Sequence, residues 1–294
     1  MSGKFSALVT VKWLVDALKL SPRNLRVLDG SWHLPVANRN ARLEYKAGHI
    51  PGALFFDIDE CADQKANYCP HMLPSVSAFE EYVGKLGINN NTHVVVYDNN
   101  DTFPVFSAQR VWWTFRTFGH DKISVLEGGL RKWCNEGNPL TSDIVQVPSE
   151  TFKATFRPNL VKNFNDVEVN QFSKREFVLV DARPSGRFEG TQPEPRPDIK
   201  PGHIPGSVNL PFPDIMDVEK QMFKTREELQ QLFDKLSIDL KQPMVASCGS
   251  GISACIVALA AYICGKDDVA VYDGSWTEWY QRAKPEQMEN VPVN

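Results

Sequence analysis

Six cysteines stand in the 294-residue sequence, at positions 61, 69, 134, 248, 255 and 264. Only Cys248 is set as a nucleophile needs to be. It follows the apolar run Met244-Val245-Ala246-Ser247 and precedes Gly249-Ser250-Gly251-Ile252-Ser253, after which a helical pattern begins at Ala254. A strand that yields to a helix this quickly must turn tightly, and glycine reaches backbone conformations that other residues avoid. Successive N–H groups in such a turn converge on a concavity at the helix amino terminus, a place that favours an anion. A thiolate is such an anion, and it is the nucleophilic form of cysteine. The predicted chemistry is attack by Cys248, with Gly249, Gly251, Ile252 and Ser253 cradling the sulfur and its cargo. A buried filler cysteine needs no glycine-flanked turn; Cys255, Cys264 and Cys134 read as ordinary packing residues.

Other chemistries find less support. No two cysteines form Cys-x-x-Cys, and Cys61, Cys69 and His71 lack a fourth ligand at recognisable spacing, so no metal is expected. The cysteines lack the density of a disulfide framework, and a reducing compartment fits them. Net charge is −4 with both signs scattered along the chain, so no basic footprint for nucleic acid exists. The longest apolar stretch, Ile252 to Cys264, is too short to cross a bilayer and holds Ser253 and Tyr262. The start Met1-Ser-Gly-Lys-Phe-Ser carries no apolar signal core, and Asp16 precedes the first arginine. A cytoplasmic location is expected, with entry into mitochondria left open.

The elements that must hold Cys248 follow from an internal repeat. Gly48-His49-Ile50-Pro51-Gly52 recurs as Gly202-His203-Ile204-Pro205-Gly206. Each copy follows an apolar run ending in aspartate, Val27-Leu28-Asp29 and Leu179-Val180-Asp181. Farther on, Val94-Val95-Val96-Tyr97-Asp98 matches Met244 to Cys248, and Glu127-Gly128-Gly129 with Trp133 matches Asp273-Gly274-Ser275 with Trp279. Four landmarks in one order make the halves duplicates. Between the strands, helical periodicity runs over Val11 to Lys19, Phe79 to Leu86, Val105 to Phe118, Glu227 to Leu236 and Ile252 to Cys264. Strands alternating with helices predict two α/β domains, each a doubly wound parallel sheet flanked by helices. Their expected bounds are residues 1–140 and 163–294, with 141–162, interrupted by Pro148 and Pro158, as a linker. Both halves keep His49 or His203 and Asp29 or Asp181 while only one keeps the cysteine, so these four read as structural.

Tyr45-Lys-Ala-Gly-His49-Ile-Pro-Gly-Ala53 resembles the amino-terminal signature of the rhodanese family, and Tyr272-Asp-Gly-Ser-Trp276-Thr-Glu-Trp279 resembles the carboxy-terminal one. The resemblance covers essentially the whole chain. It implies tandem rhodanese-like domains, the first without a catalytic cysteine, and sulfur transfer through a persulfide on the second domain's cysteine. Asp98 indeed takes the place in the first half that Cys248 holds in the second. Phosphatases share this fold class but need an arginine six positions after the cysteine, where this chain has Ala254; phosphoryl chemistry lacks its clamp.

The loop also bears on the sulfur donor. Family members that use thiosulfate carry Arg and Lys just after the cysteine, whereas Cys248-Gly-Ser-Gly-Ile-Ser-Ala254 resembles the Cys-Gly-Ser-Gly-Val-Thr-Ala of the mercaptopyruvate sulfurtransferases. The resemblance implies 3-mercaptopyruvate as donor, thioredoxin, small thiols or cyanide as acceptors, release of pyruvate and hydrogen sulfide, and no cofactor. The stretch Gly186-Arg187-Phe to Glu194-Pro-Arg196 resembles the segment whose two arginines bind the keto acid, although surface charge accounts for most arginines. Asp59, His71 and Ser250 match a Ser-His-Asp proton relay proposed for these enzymes; between them Ala66-Asn-Tyr-Cys-Pro70 departs from the family in length and content. Thiosulfate:cyanide transfer and a noncatalytic rhodanese-like binding module stay open as alternatives.

Cys248→Ser is expected to abolish sulfur transfer and leave folding intact, because serine forms no persulfide; Cys134→Ser is expected to matter little. Mass spectrometry after donor treatment, together with circular dichroism, checks both, and transfer retained by the Cys248 variant overturns the assignment.

Overall fold

The computed structural model describes residues 5–20 and 24–292. The chain forms two compact units. The first gathers residues up to Gln64, Leu73–Arg157 and Asp217–Phe223; the second gathers Lys65–Met72, Pro158–Met216 and the chain from Lys224 onward.

In the first unit β1 (Leu8–Val9), α1 (Val11–Lys19), β2 (Leu25–Asp29), α2 (Ala41–Ala47), β3 (Leu54–Phe55), α3 (Val76–Lys85), β4 (His93–Tyr97), α4 (Ala108–Thr117), β5 (Ile123–Leu126) and α5 (Gly129–Asn135) follow in chain order. The strands form one sheet, ordered β1-β5-β4-β2-β3, in which every pair is parallel. In the second unit come β6 (Val161–Lys162), α6 (Phe164–Val169), β7 (Val178–Asp181), α7 (Ser185–Phe188), β8 (Val208–Asn209), α8 (Arg226–Lys235), β11 (Met244–Ser247), α9 (Ala254–Ile263), β12 (Ala270–Tyr272) and α10 (Ser275–Arg282); between β8 and α8 the chain forms a short ribbon of β9 (Met216–Asp217) and β10 (Met222–Phe223), whose residues 217–223 group with the first unit. Its sheet is again parallel and runs β6-β12-β11-β7-β8, the same order strand for strand. The predicted pair of parallel α/β units is therefore the fold.

The central strands read as unbroken apolar runs because both faces are covered: Val94 to Tyr97 and Met244 to Ser247 are all buried. The helix after each of them is buried too. All ten residues of α4 are inside, and its two arginines lie over indole rings, Arg110 on Trp113 at 4.7 Å and Arg116 on Trp112 at 4.8 Å. α9 is apolar on every side, as a helix enclosed by its neighbours must be. Cys255 on it is buried and Cys264 at its end is half-buried, whereas Cys134, expected to pack inside, is exposed on α5.

The proline-interrupted stretch after α5 lies along the first unit as an extended strap as far as Arg157. Glu150, Thr155 and Arg157 donate backbone N–H groups to Gly84, Phe118 and Thr117 carbonyls at 2.9, 2.9 and 2.8 Å. A β-carbon at Gly84 would meet Glu150 O at 2.6 Å and one at Gly119 would meet Thr155 O at 2.7 Å, so the strap passes where only glycine fits.

The repeated motif histidines hold backbone together. His49 Nδ1 lies 2.7 Å from Tyr45 O and stacks on the Tyr45 ring; His203 Nδ1 lies 2.9 Å from Phe188 O and stacks on Phe188. Their main chains exchange paired bonds with Thr141 and Glu289. Asp29 accepts the Ser31 backbone N–H at 3.0 Å, and burial raises its carboxyl to about 6.

The two halves diverge at Asp98, the counterpart of Cys248. Asp98 Oδ2 accepts N–H bonds from Phe106, Ser107 and Ala108 at 2.7, 2.6 and 2.8 Å, at the amino terminus of α4. The turn after β4 is thus an anion cradle already filled by the chain's own carboxylate, even though burial raises the Asp98 carboxyl against these bonds. Asp98→Ala leaves buried N–H groups without their acceptor and is expected to destabilise the protein by on the order of 3 kcal/mol, with Asp98→Asn, which keeps one acceptor oxygen, losing less. Urea denaturation of both variants checks the order; equal stability of Asp98→Ala and wild type would refute the cradle.

Candidate active site

Cys248 stands one residue beyond the end of β11, 2% exposed, and the turn that follows is pinned by the amino terminus of α10. Trp276 N–H donates to Cys248 O at 2.9 Å, while the backbone N–H and hydroxyl of Thr277 donate to Gly249 O at 2.9 and 2.6 Å. Ser275 accepts the Cys248 N–H at 3.1 Å and donates its hydroxyl to Tyr272 O at 2.8 Å. The described chain holds no cis peptide bond, so each carbonyl and the next N–H point oppositely. With the Cys248 and Gly249 carbonyls taken by α10, the Gly249 and Ser250 N–H groups face away from it. Gly251 adopts φ +79, the left-handed region where glycine costs least. Ile252 and Ser253 are buried and lead directly into α9. The sequence-predicted cradle of Gly249, Ser250, Gly251, Ile252 and Ser253 is one continuous turn between β11 and α9.

Arg187 comes to this turn from α7. A β-carbon built at Gly249 would lie 2.9 Å from Arg187 Nη2 and 3.9 Å from Glu194 Oε2. The arginine's backbone is tied to the second Gly-His-Ile-Pro-Gly motif, since Gly202 N–H donates to Arg187 O at 3.0 Å. Its guanidinium donates to the Glu194 carboxylate. Glu194 also accepts Arg183 Nη1 at 2.8 Å, and Arg183 pairs with Asp181 at 2.6 Å, donates to Gly202 O at 2.7 Å and lies over the Trp276 ring at 4.8 Å. Arg183 and Glu194 escaped the reading of the sequence. The signal for Arg183 was a charged residue two places past Asp181, where the first half has Ser31; Glu194 sat inside the quoted segment with no role.

Arg196 is half-exposed, its carbonyl accepting Ile199 N–H at 3.2 Å. Of the three residues expected as a relay, Ser250 and His71 belong to the second unit and Asp59 to the first. His71 is buried with a left-handed backbone, φ 66. Asp59 accepts Trp32 Nε1–H at 3.1 Å. The arrangement around Cys248 offers a shielded sulfur and one guanidinium beside a glycine-containing turn.

Comparison with known proteins bears on this reading. Residues 36–136 and 165–282 match the model of the Rhodanese-like domain family. A 3-mercaptopyruvate sulfurtransferase of Homo sapiens is 50% identical over 285 residues, spanning 96% of this chain and 94% of that protein. A thiosulfate sulfurtransferase of Mus musculus is 52% identical over 286 residues, with the same shares covered. The crystal structure of SseA from Escherichia coli, described as a 3-mercaptopyruvate sulfotransferase, superposes with a TM-score of 0.82 at 34% identity, covering 93% of this chain and all of that one.

Ser275 is fully buried and is the acceptor that holds the Cys248 N–H. Ser275→Ala is expected to destabilise the protein by about 1–3 kcal/mol, the cost of a buried donor left unpaired. Chemical denaturation measures it, and an unchanged midpoint would mean that α10 does not pin the turn through this hydroxyl.

Proposed function

Because this chain belongs to the rhodanese-like domain family and is a sulfurtransferase, we propose that its donor is 3-mercaptopyruvate and that the sulfur travels on Cys248. Overall identity does not choose between the donor classes, since relatives of both kinds stand at 50% and 52%. The choice falls to the loop. The observation that carries it is that the turn after Cys248 contains no cation and that its first residue, Gly249, leaves room for Arg187: any side chain there would start 2.9 Å from the guanidinium. A compact dianion such as thiosulfate calls for cations within the loop itself. A keto acid, with its reacting sulfur one carbon away from a planar carbonyl and a carboxylate, calls for directed donors beside the loop.

In this reading the Cys248 thiolate attacks the donor sulfur. The donor's C–S bond breaks, its electron pair passes to carbon, and the enolate so formed takes a proton to become pyruvate. The enzyme keeps the sulfur as a persulfide, whose terminal sulfur then passes either to cyanide, giving thiocyanate and the free Cys248 thiolate, or to a thiol of thioredoxin or a small thiol, giving an acceptor persulfide that a second thiol cleaves to a disulfide and hydrogen sulfide. Burial of Cys248 supports the persulfide's survival between the two half-reactions, because water and bulky oxidants reach it poorly. Arg187 and Arg196 bind the carboxylate and ketone. Ser250 and His71 of the second unit pass the proton, in a step that general acid catalysis accelerates.

Parallel steady-state kinetics with the two donors test the proposal. Mercaptopyruvate is expected to give the higher kcat/KM. Arg187→Ala and Arg196→Ala are each expected to raise the KM for mercaptopyruvate by about tenfold, the loss of one charge-assisted bond, with a smaller fall in kcat. Better turnover of thiosulfate by the wild type, or an unchanged KM in both variants, overturns this donor assignment.

A further inference from the structure

Arg187 does not stand alone beside the loop. Its partner Glu194 has a side chain only 4% exposed, and that one carboxylate receives both Arg187 and Arg183. Arg183 is fixed in turn: its side chain is fully buried, it grips Asp181 through Nε and Nη2, and it lies over Trp276, whose N–H holds the Cys248 carbonyl. Two carboxylates and two guanidinium groups alternate in this row, so their formal charges cancel. An arginine in open water has many rotamers to lose before it can bind anything. Here the side chain is held at the edge facing Glu194 and keeps 17% of its surface exposed. A Cβ at Gly249 would sit 3.9 Å from Glu194 Oε2, so the carboxylate itself lies close to the nucleophile's turn.

We infer that Glu194 is a positioning and specificity-determining residue for the donor: it fixes Arg187 beside the turn and cancels that arginine's net charge. A donor recognised by directed hydrogen bonds, as a 2-keto acid is, keeps the benefit of an oriented guanidinium. A compact dianion, drawn in by net positive charge, gains little from a neutral pair and is repelled by the carboxylate. The inference rests on Arg187 contacting the donor, as proposed above. The row of charges thus does at a distance what the absence of Arg and Lys does within the loop.

The test is a cycle of Glu194→Gln, Arg187→Ala and the double variant, with kcat and KM measured for mercaptopyruvate and thiosulfate, and Glu194→Asp as a charge-retaining companion. Glutamine preserves shape and an acceptor oxygen but removes the charge. Glu194→Gln is expected to raise the KM for mercaptopyruvate by about fivefold to tenfold with kcat within about twofold, as loss of one charged bond to a positioned group does. It is expected to add nothing in the Arg187→Ala background, and to raise kcat/KM for thiosulfate, a gain that salt screens away. Glu194→Asp, which retains charge but not reach, is expected to raise the mercaptopyruvate KM without helping thiosulfate. A mere structural role through Arg183 would lower both donors' efficiencies alike and act equally with or without Arg187; either result overturns the inference while leaving the donor assignment intact. If Arg187→Ala alone leaves the mercaptopyruvate KM unchanged, the donor-binding role of Arg187 falls and this inference falls with it. Should Glu194→Gln fail to fold, the same decision is read from Glu194→Asp, whose KM change must vanish in the Arg187→Ala background.

Discussion

Everything around Cys248 depends on two backbone carbonyls. Those of Cys248 and Gly249 are claimed by the first turn of α10, through Trp276 and Thr277. A helix amino terminus has donors to spare, and here it spends them on the turn that begins at Cys248. Peptide geometry then orients the following N–H groups without any further interaction. This is why the carboxy-terminal signature, nearly thirty positions away in sequence, is part of the same device as the cysteine: Ser275 holds the Cys248 N–H, and Trp276 carries Arg183 on its face.

The duplication shows what happens when the same frame holds a different residue. In the first unit Leu130 N–H takes the Asp98 carbonyl at 2.9 Å, as Trp276 takes that of Cys248. The turn survives, and its N–H groups converge as the fold dictates, but an acidic side chain fills them from within. A carboxylate carries its own negative charge and needs no chemistry to arrive. Cys248 brings no such charge from a carboxylate to its own turn. Sheet order and motif histidines are shared between the two units, while position 98 carries a carboxylate where position 248 carries a thiol.

The charges near Cys248 obey a similar economy. Arg183 is enclosed by protein, and a lone guanidinium there would be severely destabilising; Asp181 and Glu194 make its burial tolerable. Glu194 has a second oxygen left over, and Arg187 uses it. A structural ion pair thereby extends to the edge of the turn after Cys248. Conformational order is the product more than stability, since buried ion pairs contribute little net free energy over apolar packing.

The sequence by itself determined the duplication, the central strands, the helices that follow them and the turn at Cys248. These are local or repeated signals: long buried strands are apolar throughout, helices show their period, and glycine marks a tight turn. It did not reveal β1, β3, β6 and β8, because strands of two residues are too short to show alternation and exist only by pairing with a neighbour. Nor did it show that the stretch before Arg157 is strapped to the first unit, since extended chain without periodicity looks the same whether bound or free. Asp98 was legible as the counterpart of Cys248, yet the three N–H bonds it receives come from residues eight to ten positions ahead. Arg183 and Glu194 stood in plain view as ordinary charges. Only tertiary structure decided that both side chains are buried and share one ion pair beside the turn after Cys248, because burial and partnership depend on what the rest of the chain brings to the place and not on the residues themselves.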